Sequence, residues 1–327
     1  MKTIFIGIDI SKDSLDVAIC KDPSEVMDQL KVDNSIKGIS KLISRCKKLS
    51  TDLWFCFEHT GNYGLLLMSQ LQSEDLVYSV VPALEIKQSL GMTRGKSDII
   101  DAKRIAIYTA TNSYKLKPFH MPGKNLLKIK TLLTYRNQLV GMSRQLQNSY
   151  KSHQITNEAI DIGLILNDIQ QRIKQLKEKI KDIENEIMNL ISSDPVIKKN
   201  YLKTCTVKGI GHIIASYMLV YTNNFTSFDN PRKFNCYAGL APFEHTSGTS
   251  IKGKTKTSKL RNKTIKTLLF NGANTASMYD NELKKYYKRK LSEGKPHQLI
   301  MNNIACKLVY RMFAVVNRDE PYVCLKN

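Results

Sequence analysis

The stretch TIFIGIDISKDSLDVAIC, residues 3–20, decides the fold of the first part of the chain. Two short apolar runs, TIFIGIDI and LDVAIC, flank the polar turn SKDS, which is typical of two buried strands joined by a tight connection. The first run carries an acid at its end, Asp9. Since a carboxylate at the end of an apolar strand is unfavourable unless it is paired or binds a cation, the stretch predicts both a sheet and a candidate site at its edge.

Strand and helix patterns alternate after this stretch, which predicts an α/β domain with helices covering the sheet. The run DLWFCFE also ends on an acid, Glu58. Two strand ends therefore carry carboxylates where the active sites of open α/β sheets lie. The patterns predict helices at about 36–48 and 97–108, and strands at 52–58 and 76–82.

The stretch KSDIIDAKR, residues 96–104, places Asp98 and Asp101 three positions apart, on one face of a helix. Two unpaired carboxylates on one face repel each other, so a positive group should lie between them, either a nearby Lys or Arg or a metal ion. Four acids from two strand ends and one helix face have the oxygen ligands that Mg²⁺ prefers. The pattern alone leaves local ion pairing open as the alternative for each acid.

The middle of the chain has a heptad pattern, in which apolar residues recur at alternating spacings of three and four and charged residues lie between them. A second helical pattern runs from about 128 to 150. The two helices can pack as an internal antiparallel hairpin or pair between two chains, and the pattern does not decide. The heptad positions are Leu166, Ile169, Ile173, Leu176, Ile180, Ile183, Ile187 and Leu190.

The charge of the chain is strongly positive and uneven. Fifty Lys and Arg against 29 Asp and Glu give a net charge of +21. Residues 1–195 hold 27 basic and 22 acidic residues, a net of +5, whereas residues 196–327 hold 23 and 7, a net of +16. A field of one sign concentrated in one region favours a polyanionic partner, most simply nucleic acid.

The segment IKGKTKTSKLRNKTIK, residues 251–266, concentrates this charge. A solvated loop is the usual interpretation of such a run, but charges of one sign repel each other unless an anion is near. Upstream, the Gly-x-Gly turn in TVKGIGHIIASYML (206–219) resembles a helix-hairpin-helix, whose backbone N–H groups can hold a phosphate. The candidate nucleic-acid contacts are Lys252, Lys254, Lys256, Lys259, Arg261, Lys263 and Lys266.

A candidate nucleophile, Ser247, lies just before this basic segment in HTSGTS. A serine beside a glycine and near phosphate-binding lysines can attack a phosphodiester if a base or a metal activates it. From residue types alone, a loop serine without a role is the simpler interpretation. Thr246, Thr249 and Ser250 qualify equally, and His245 is either a neighbouring base or a solvated side chain.

Export and membrane insertion are not expected. Seven scattered cysteines without a CxxC pair indicate reduced thiols rather than a disulfide framework or a zinc site. No window approaches the roughly 18 consecutive apolar residues of a membrane span, and the N-terminus has an acid where a signal peptide stays apolar. We expect a cytoplasmic protein.

The motifs GIDISKDSLDVAI, FEHTGNYG and KSDIIDAKRIA, followed by VKGIG, FDNPRKFNCYAGLAP and TSGTS, occur in this order over about residues 4–275. The combination resembles the DEDD-type insertion-sequence transposases. The resemblance implies an α/β domain of RuvC and RNase H type at 1–125, a helical coiled-coil region at 126–200, and a mainly α transposase domain carrying a serine at 201–327.

The resemblance also implies a function, that of a prokaryotic, nucleoid-associated, site-specific DNA recombinase. Members of this family assemble as tetramers in which the acidic site of one protomer is completed by the serine of another. A structured non-coding guide RNA pairs with donor and target DNA. Carried over to this chain, Asp9, Glu58, Asp98 and Asp101 would hold Mg²⁺, expected as two ions, and Ser247 would form a transient covalent link to DNA.

Two other functions remain open at the level of the sequence. A junction resolvase of RuvC type would use the same four acids, cut DNA with water and need no serine. A nucleic-acid-binding protein without enzymatic activity would carry the acids for structural reasons only.

Overall fold

A strand at Ile4–Ile10, β1, lies at the centre of a five-stranded mixed sheet. The computed structural model describes residues 3–89, 98–247, 251–258 and 260–323, and the chain divides into two compact units, Met1–Met121 and Pro122–Asn327. The sheet belongs to the first unit and has the order β3-β2-β1-β4-β5. The other strands are β2 (Ser14–Asp22) and β3 (Glu25–Asp33), which extend β1 as an antiparallel meander, and β4 (Leu53–Glu58) and β5 (Val77–Val81), which run parallel to β1.

The two faces of the sheet are covered differently, because side chains alternate between faces along a strand. On one face, the isoleucines of β1 pack against two helices, which agrees with the buried strand that the apolar run predicts. On the other face, Phe5 packs against Ala102 and Ala106 of the helix that carries the paired aspartates. This mixed sheet fits the α/β domain of RuvC and RNase H type expected for this part of the chain. The helices are α1 (Ile36–Leu49), α2 (Leu65–Ser73), α3 (Ala83–Ser89) and α4 (Asp98–Asn112).

Helix α4 lies directly on β1 because residue 7 is a glycine. A Cβ atom at Gly7 would lie 2.2 Å from the backbone nitrogen of Ala106 and 2.5 Å from the carbonyl oxygen of Ala102. Distances this short are excluded, so only glycine allows the helix backbone to come this close to the strand. The close approach brings the first turn of α4 towards the end of β1, where Asp9 lies.

The second unit is mainly helical and has one hydrophobic core, which extends along the chain from Leu126 to Val315. Residues of both expected parts, 126–200 and 201–327, contribute to this core, and the division into three parts stays a prediction. The helices are α5 (Lys124–Asn157), α6 (Gly163–Ser193), α7 (Pro195–Cys205), α8 (His212–Tyr221), α9 (Pro231–Tyr237), α10 (Lys263–Tyr279), α11 (Asn281–Ser292) and α12 (His297–Arg318).

Helices α5 and α6 form an antiparallel hairpin within the chain, which is one of the two arrangements that the heptad pattern allows. The guanidinium group of Arg136 on α5 contacts the carboxylate of Glu184 on α6 at 2.7 Å. Fourteen residues earlier in α6 than Glu184, Gln170 donates a hydrogen bond to the hydroxyl group of Tyr150 on α5. The buried heptad positions Ile183 and Ile187 lie in the shared core. A supercoiled geometry of the hairpin stays a prediction.

Two strand pairings are absent from the sequence prediction. Strand β3 is an edge strand whose residues alternate between exposed and half-buried, so it has no apolar run to reveal it. In the second unit, β6 (Pro242–Ser247) and β7 (Ile251–Thr257) pair as an antiparallel hairpin. A solvated loop is the usual interpretation of the basic segment, because its lysines mask the alternation typical of a strand, but residues 251–257 of it form β7.

Helix α12 is the one helix in the described part of the chain that is long and apolar enough to cross a membrane. Of its apolar window, 56% is buried inside the protein. Side chains such as Ile304, Leu308 and Met312 lie fully inside the core of the second unit. Burial on this scale is what a core helix shows, and it accounts for the apolar composition.

Candidate active site

Asp9 and Glu58 lie at the same end of two neighbouring parallel strands. The register of β1 and β4 pairs Gly7 with Cys56 and Ile8 with Phe57, so Asp9 and Glu58 are the next residues in register. Residues two apart in a strand point to the same face. Asp9 therefore shares the face of Gly7, which is the face that α4 covers.

Asp98 and Asp101 lie in the first turn of α4 and close enough to this sheet edge for their charges to act on it. The pKa of the Asp9 carboxyl is raised, first by burial and then by the negative charges of Asp98 and Asp101. The pKa of Glu58 is also raised, again by burial first and then by Asp9 and Asp101. The fold thus brings all four predicted acids to one edge of the sheet.

The four carboxylates do not close around a common centre. Among the described residues, no group of three or more His, Cys, Asp and Glu side chains is arranged to hold a metal ion. Asp101 instead accepts a hydrogen bond from Arg104 at 2.8 Å. The mutual repulsion and the oxygen-only donor set nevertheless fit a hard divalent cation, which would relieve the repulsion and offset the burial of charge.

A fifth acid, Asp16, lies beside this group and was missed in the sequence. It is the antiparallel partner of Asp9 in β2 and is 1% exposed. Its nearest cation is the ammonium group of Lys31, at 3.2 Å from Oδ2. Asp16 contributes to the raised pKa of Asp9, after burial and the two α4 aspartates. The sequence offers one indication that Asp16 lies near the site. It is an acid within the apolar run LDVAIC, on the same strand face as the small residues Ala18 and Cys20.

Ser247 is the last residue of β6 and pairs with Ile251 across the hairpin. Its neighbours Thr246 and His245 are also in β6, where they pair with Lys252 and Gly253. The alternatives Thr249 and Ser250 lie outside the described residues. The serine therefore belongs to the second unit and the four acids belong to the first.

The base of this hairpin is held by buried polar contacts. The ammonium group of Lys266 donates to the carbonyl oxygen of Gly239 at 2.7 Å, and the amide of Asn302 donates to the carbonyl oxygen of Leu240 at 2.8 Å. Gly239 has a φ of +69°, and a Cβ there would lie 2.4 Å from the Cβ of Arg261. Burial and the nearby Arg261 lower the pKa of Lys266. We call these contacts the Gly239 clamp; they fix the chain just before β6 begins.

The seven candidate nucleic-acid contacts lie in different environments. Lys256, Arg261 and Lys263 are exposed, whereas Lys266 is half-buried and bonded within the chain. Lys252 and Lys254 occupy alternate positions of β7 with Lys256, and Lys259 lies outside the described residues. The basic segment thus combines a strand, a turn and the first turn of α10.

The Gly-x-Gly turn joins two helices, α7 and α8, as expected. Gly209 has a φ of +92°, and a Cβ there would lie 2.5 Å from the carbonyl oxygen of Gly272 on α10. Close packing therefore explains the glycine without a ligand. Lys208 beside it is exposed. Phosphate binding at the turn stays a prediction.

Comparisons with known proteins identify the class and then the family. A DEDD transposase model of the IS110 type matches residues 6–154, and a model described as transposase IS116/IS110/IS902 family matches residues 203–288. The chain is therefore a transposase, an enzyme that recombines DNA. The two models together match more than two thirds of its residues, and the chain belongs to the IS110 family of insertion-sequence transposases.

Its relatives include two proteins named for gene inversion and one protein of an insertion element. The pilin gene-inverting protein of Moraxella bovis is 27% identical over 98% of both chains, and the one of Moraxella lacunata is equally similar. The IS110 43.6 kDa protein of Streptomyces coelicolor is 26% identical over 49% of this chain and 38% of its own. T. thermophilus RuvC in complex with a Holliday junction substrate matches 36% of this chain and 99% of its own at 12% identity, and its TM-score of 0.28 is too low to support an argument.

Proposed function

We propose that this transposase cuts and rejoins DNA at specific sites, using Mg²⁺ held by Asp9, Glu58, Asp98 and Asp101 and a covalent link through Ser247. The observation that carries the metal part is the group of four acids at one sheet edge, where burial and mutual repulsion raise the pKa of Asp9 and Glu58. A DEDD domain implies dependence on a divalent metal ion, and Mg²⁺ matches a set of carboxylate oxygens.

The bound metal would polarise the scissile phosphate and stabilise the oxygens that enter and leave. The four acids must be ionised to bind it, and the raised pKa values of Asp9 and Glu58 are an expected property of the metal-free protein. To bind the metal, the Asp101 carboxylate would either give up the hydrogen bond that it accepts from Arg104 or keep this bond on one oxygen and bind the metal through the other. Arg104 would then remain beside the site as a positive charge.

The serine step forms a bond between the Ser247 oxygen and phosphorus and breaks one phosphorus–oxygen bond of the DNA backbone. The serine loses its proton to a base, and the departing DNA oxygen takes up a proton. Reversal by a second DNA end restores the serine and rejoins the strand without an external energy source. The position of Ser247 at the end of an anchored strand, followed by a basic segment, supports this role.

The transposase would act together with an RNA and as an oligomer. A structured guide RNA would supply the pairing that selects donor and target DNA, and a homotetramer, or a dimer of dimers, would bring acids and serine of different protomers together. The net charge of +16 in residues 196–327 supports a large nucleic-acid surface. Acting on chromosomal DNA, the protein would work in the bacterial cytoplasm at the nucleoid.

The proposal is tested by incubating the purified full chain with Mg²⁺, donor and target DNA and the RNA encoded beside its gene. A covalent protein–DNA adduct is expected on a denaturing gel. The adduct should be absent with Ser247→Ala and with Asp9→Ala, and it should be retained with Thr246→Ala as the matched control. Without Mg²⁺ no adduct should form.

A different result would favour one of the other functions. Cleavage without an adduct that survives Ser247→Ala would identify a resolvase-like nuclease that uses water. DNA binding without any cleavage, unaffected by Mg²⁺ and by Asp9→Ala, would identify a binding protein. Either result would overturn the serine mechanism.

A further inference from the structure

Helix α11 carries a basic face that lies outside the segment 251–266. Lys284, Lys285, Lys288 and Arg289 occupy positions i, i+1, i+4 and i+5 of this helix, and all four are exposed. The opposite side faces the protein, where Leu283 is fully buried. We call these four residues the α11 basic face.

The acids near this face pair with Arg311, Lys290 and Arg289, and with none of the three lysines of the face. Glu282 contacts Arg311 at 2.6 Å, and Glu293 contacts Lys290 at 2.6 Å and Arg289 at 3.9 Å. Within the described part of the chain, no carboxylate lies within ion-pair distance of Lys284, Lys285 or Lys288. Like charges four positions apart on a helix repel each other. An arrangement of this kind is unfavourable in the free protein and is relieved by an external anion.

An aromatic residue links this face to the neighbouring helix. The ring of Tyr286 has the guanidinium group of Arg289 5.7 Å from its centroid and the ammonium group of Lys307, on α12, 5.1 Å from it. Cations near an aromatic face are attracted by its quadrupole. The ring therefore holds two cations beside each other, and the positive surface extends from α11 onto α12.

We propose that the α11 basic face binds the backbone of duplex DNA. Duplex DNA carries about one negative charge per 1.7 Å of its axis, so four cations spread over about 7.5 Å of a helix axis meet several phosphates. Lysine acts as a point charge, so these contacts position the DNA and carry no sequence information. The inference deepens the proposed function and rests on it for the nature of the substrate, but it needs neither the serine nor the metal.

The test compares two triple variants of the full chain with the same change in charge. Lys284→Gln/Lys285→Gln/Lys288→Gln removes three cations from the face. Lys174→Gln/Lys177→Gln/Lys181→Gln, at exposed positions of α6, is the matched control. The affinity for a fluorescent DNA duplex is measured at several salt concentrations. The slope of log K against log salt is negative for the native protein. In the first variant, we expect its magnitude to decrease by about 0.9 for each lost contact. In the control, we expect the slope to stay unchanged.

A third variant, Lys284→Arg/Lys285→Arg/Lys288→Arg, keeps the charge and should retain the slope, and thermal unfolding of every variant checks the fold. An unchanged slope in the Gln variant, or an equal loss in the α6 control, would overturn the inference and leave the proposed function standing. If the Gln variant lost affinity for an RNA hairpin probe and kept its affinity for the DNA duplex, the assignment to DNA would be overturned. A native protein that binds no duplex at all would overturn both proposals.

Discussion

Gly7 decides how closely helix α4 approaches the sheet, and with it the position of the paired aspartates. A side chain at this position would meet backbone atoms of Ala102 and Ala106, which cannot move aside as a flexible side chain can. The residue next but one in the strand is Asp9, so the same glycine that allows the packing sits beside the candidate site. The candidate site therefore depends on the absence of a Cβ atom at residue 7 as well as on the four acids.

Replacing Gly7 with alanine should therefore destabilise the protein. Overpacking of a filled core usually costs about 1–3 kcal/mol, and backbone atoms as the obstacle favour the upper end. Urea unfolding measures the change. Gly141→Ala on α5 is the control, because nothing lies within 4 Å of a Cβ there, and it should raise stability by roughly 0.5–1 kcal/mol through helix propensity. Equal stability of the two variants would contradict the close packing of α4.

The raised pKa of Asp9 predicts a pH dependence of stability in the metal-free protein. Because its folded pKa lies above the unfolded value, the native state binds more protons in this range, and stability falls as pH rises through the folded pKa. Asp9→Asn removes the free-energy cost of holding a buried negative charge beside other acids. In EDTA the variant should be more stable than the native protein at pH 7, and the difference should shrink at pH values below the ordinary pKa of an aspartate. A lower stability of Asp9→Asn at pH 7 would show that the charge is compensated.

At the scale of elements, the hairpin of β6 and β7 is the feature that links sequence to the proposed chemistry. Its two strands contain the candidate serine and part of the basic segment, and the Gly239 clamp fixes the chain where β6 begins. Lys266 was expected to contact nucleic acid. Its ammonium group is bonded to a carbonyl of its own chain, which makes a positioning role the more direct interpretation.

Lys266→Met should therefore act through the hairpin. Loss of a hydrogen bond from a half-buried charged donor to the carbonyl oxygen of a buried residue is expected to lower the free energy of unfolding by about 1–3 kcal/mol, and adduct formation should fall with it. Lys263→Met, at an exposed position of the same helix, should change stability little. Full stability of Lys266→Met combined with weaker DNA binding would indicate a direct phosphate contact instead of the clamp.

The elements that could be predicted are those with a strong apolar pattern. Strands β1, β2, β4 and β5 and helix α1 fall where the apolar runs and helical periods place them. The edge strand β3 and the hairpin of β6 and β7 were missed, because a strand that buries little apolar surface leaves no such pattern. These strands form because their backbones pair with a neighbouring strand, and no pattern within the strand itself shows this pairing.

At the scale of the whole molecule, the chain separates its charges between two units. The acids of the candidate metal site belong to Met1–Met121, and the serine and most of the net positive charge belong to Pro122–Asn327. A recombinase that needs both sets must bring them together within one chain or between chains. The homotetramer proposed above corresponds to the second arrangement.

Mixing two inactive variants tests this arrangement. Asp9→Ala retains the serine and Ser247→Ala retains the acids, so neither alone should form an adduct. If acids and serine act from different protomers, a mixture of the two proteins should regain adduct formation, up to roughly a quarter of the native level when the chains assort at random. The label should appear only on the Asp9→Ala protein, distinguished by a size tag. No adduct in a mixture shown to co-assemble would place both sets in one chain.

The class of the protein could be predicted from the sequence alone. Apolar runs, helical periods, a heptad pattern and an uneven charge are local or additive properties, so they can be read without coordinates, and the motif order led to the transposase family. The packing of the chain shows what no pattern shows: α4 lies on Gly7, Asp16 joins the four acids, and Lys266 is bonded to Gly239. It also turns Lys284, Lys285 and Lys288 of α11 outwards, with no carboxylate of the described residues within ion-pair distance. These facts depend on which distant segments meet, and a chain's neighbours in space are set by packing rather than by any pattern along it.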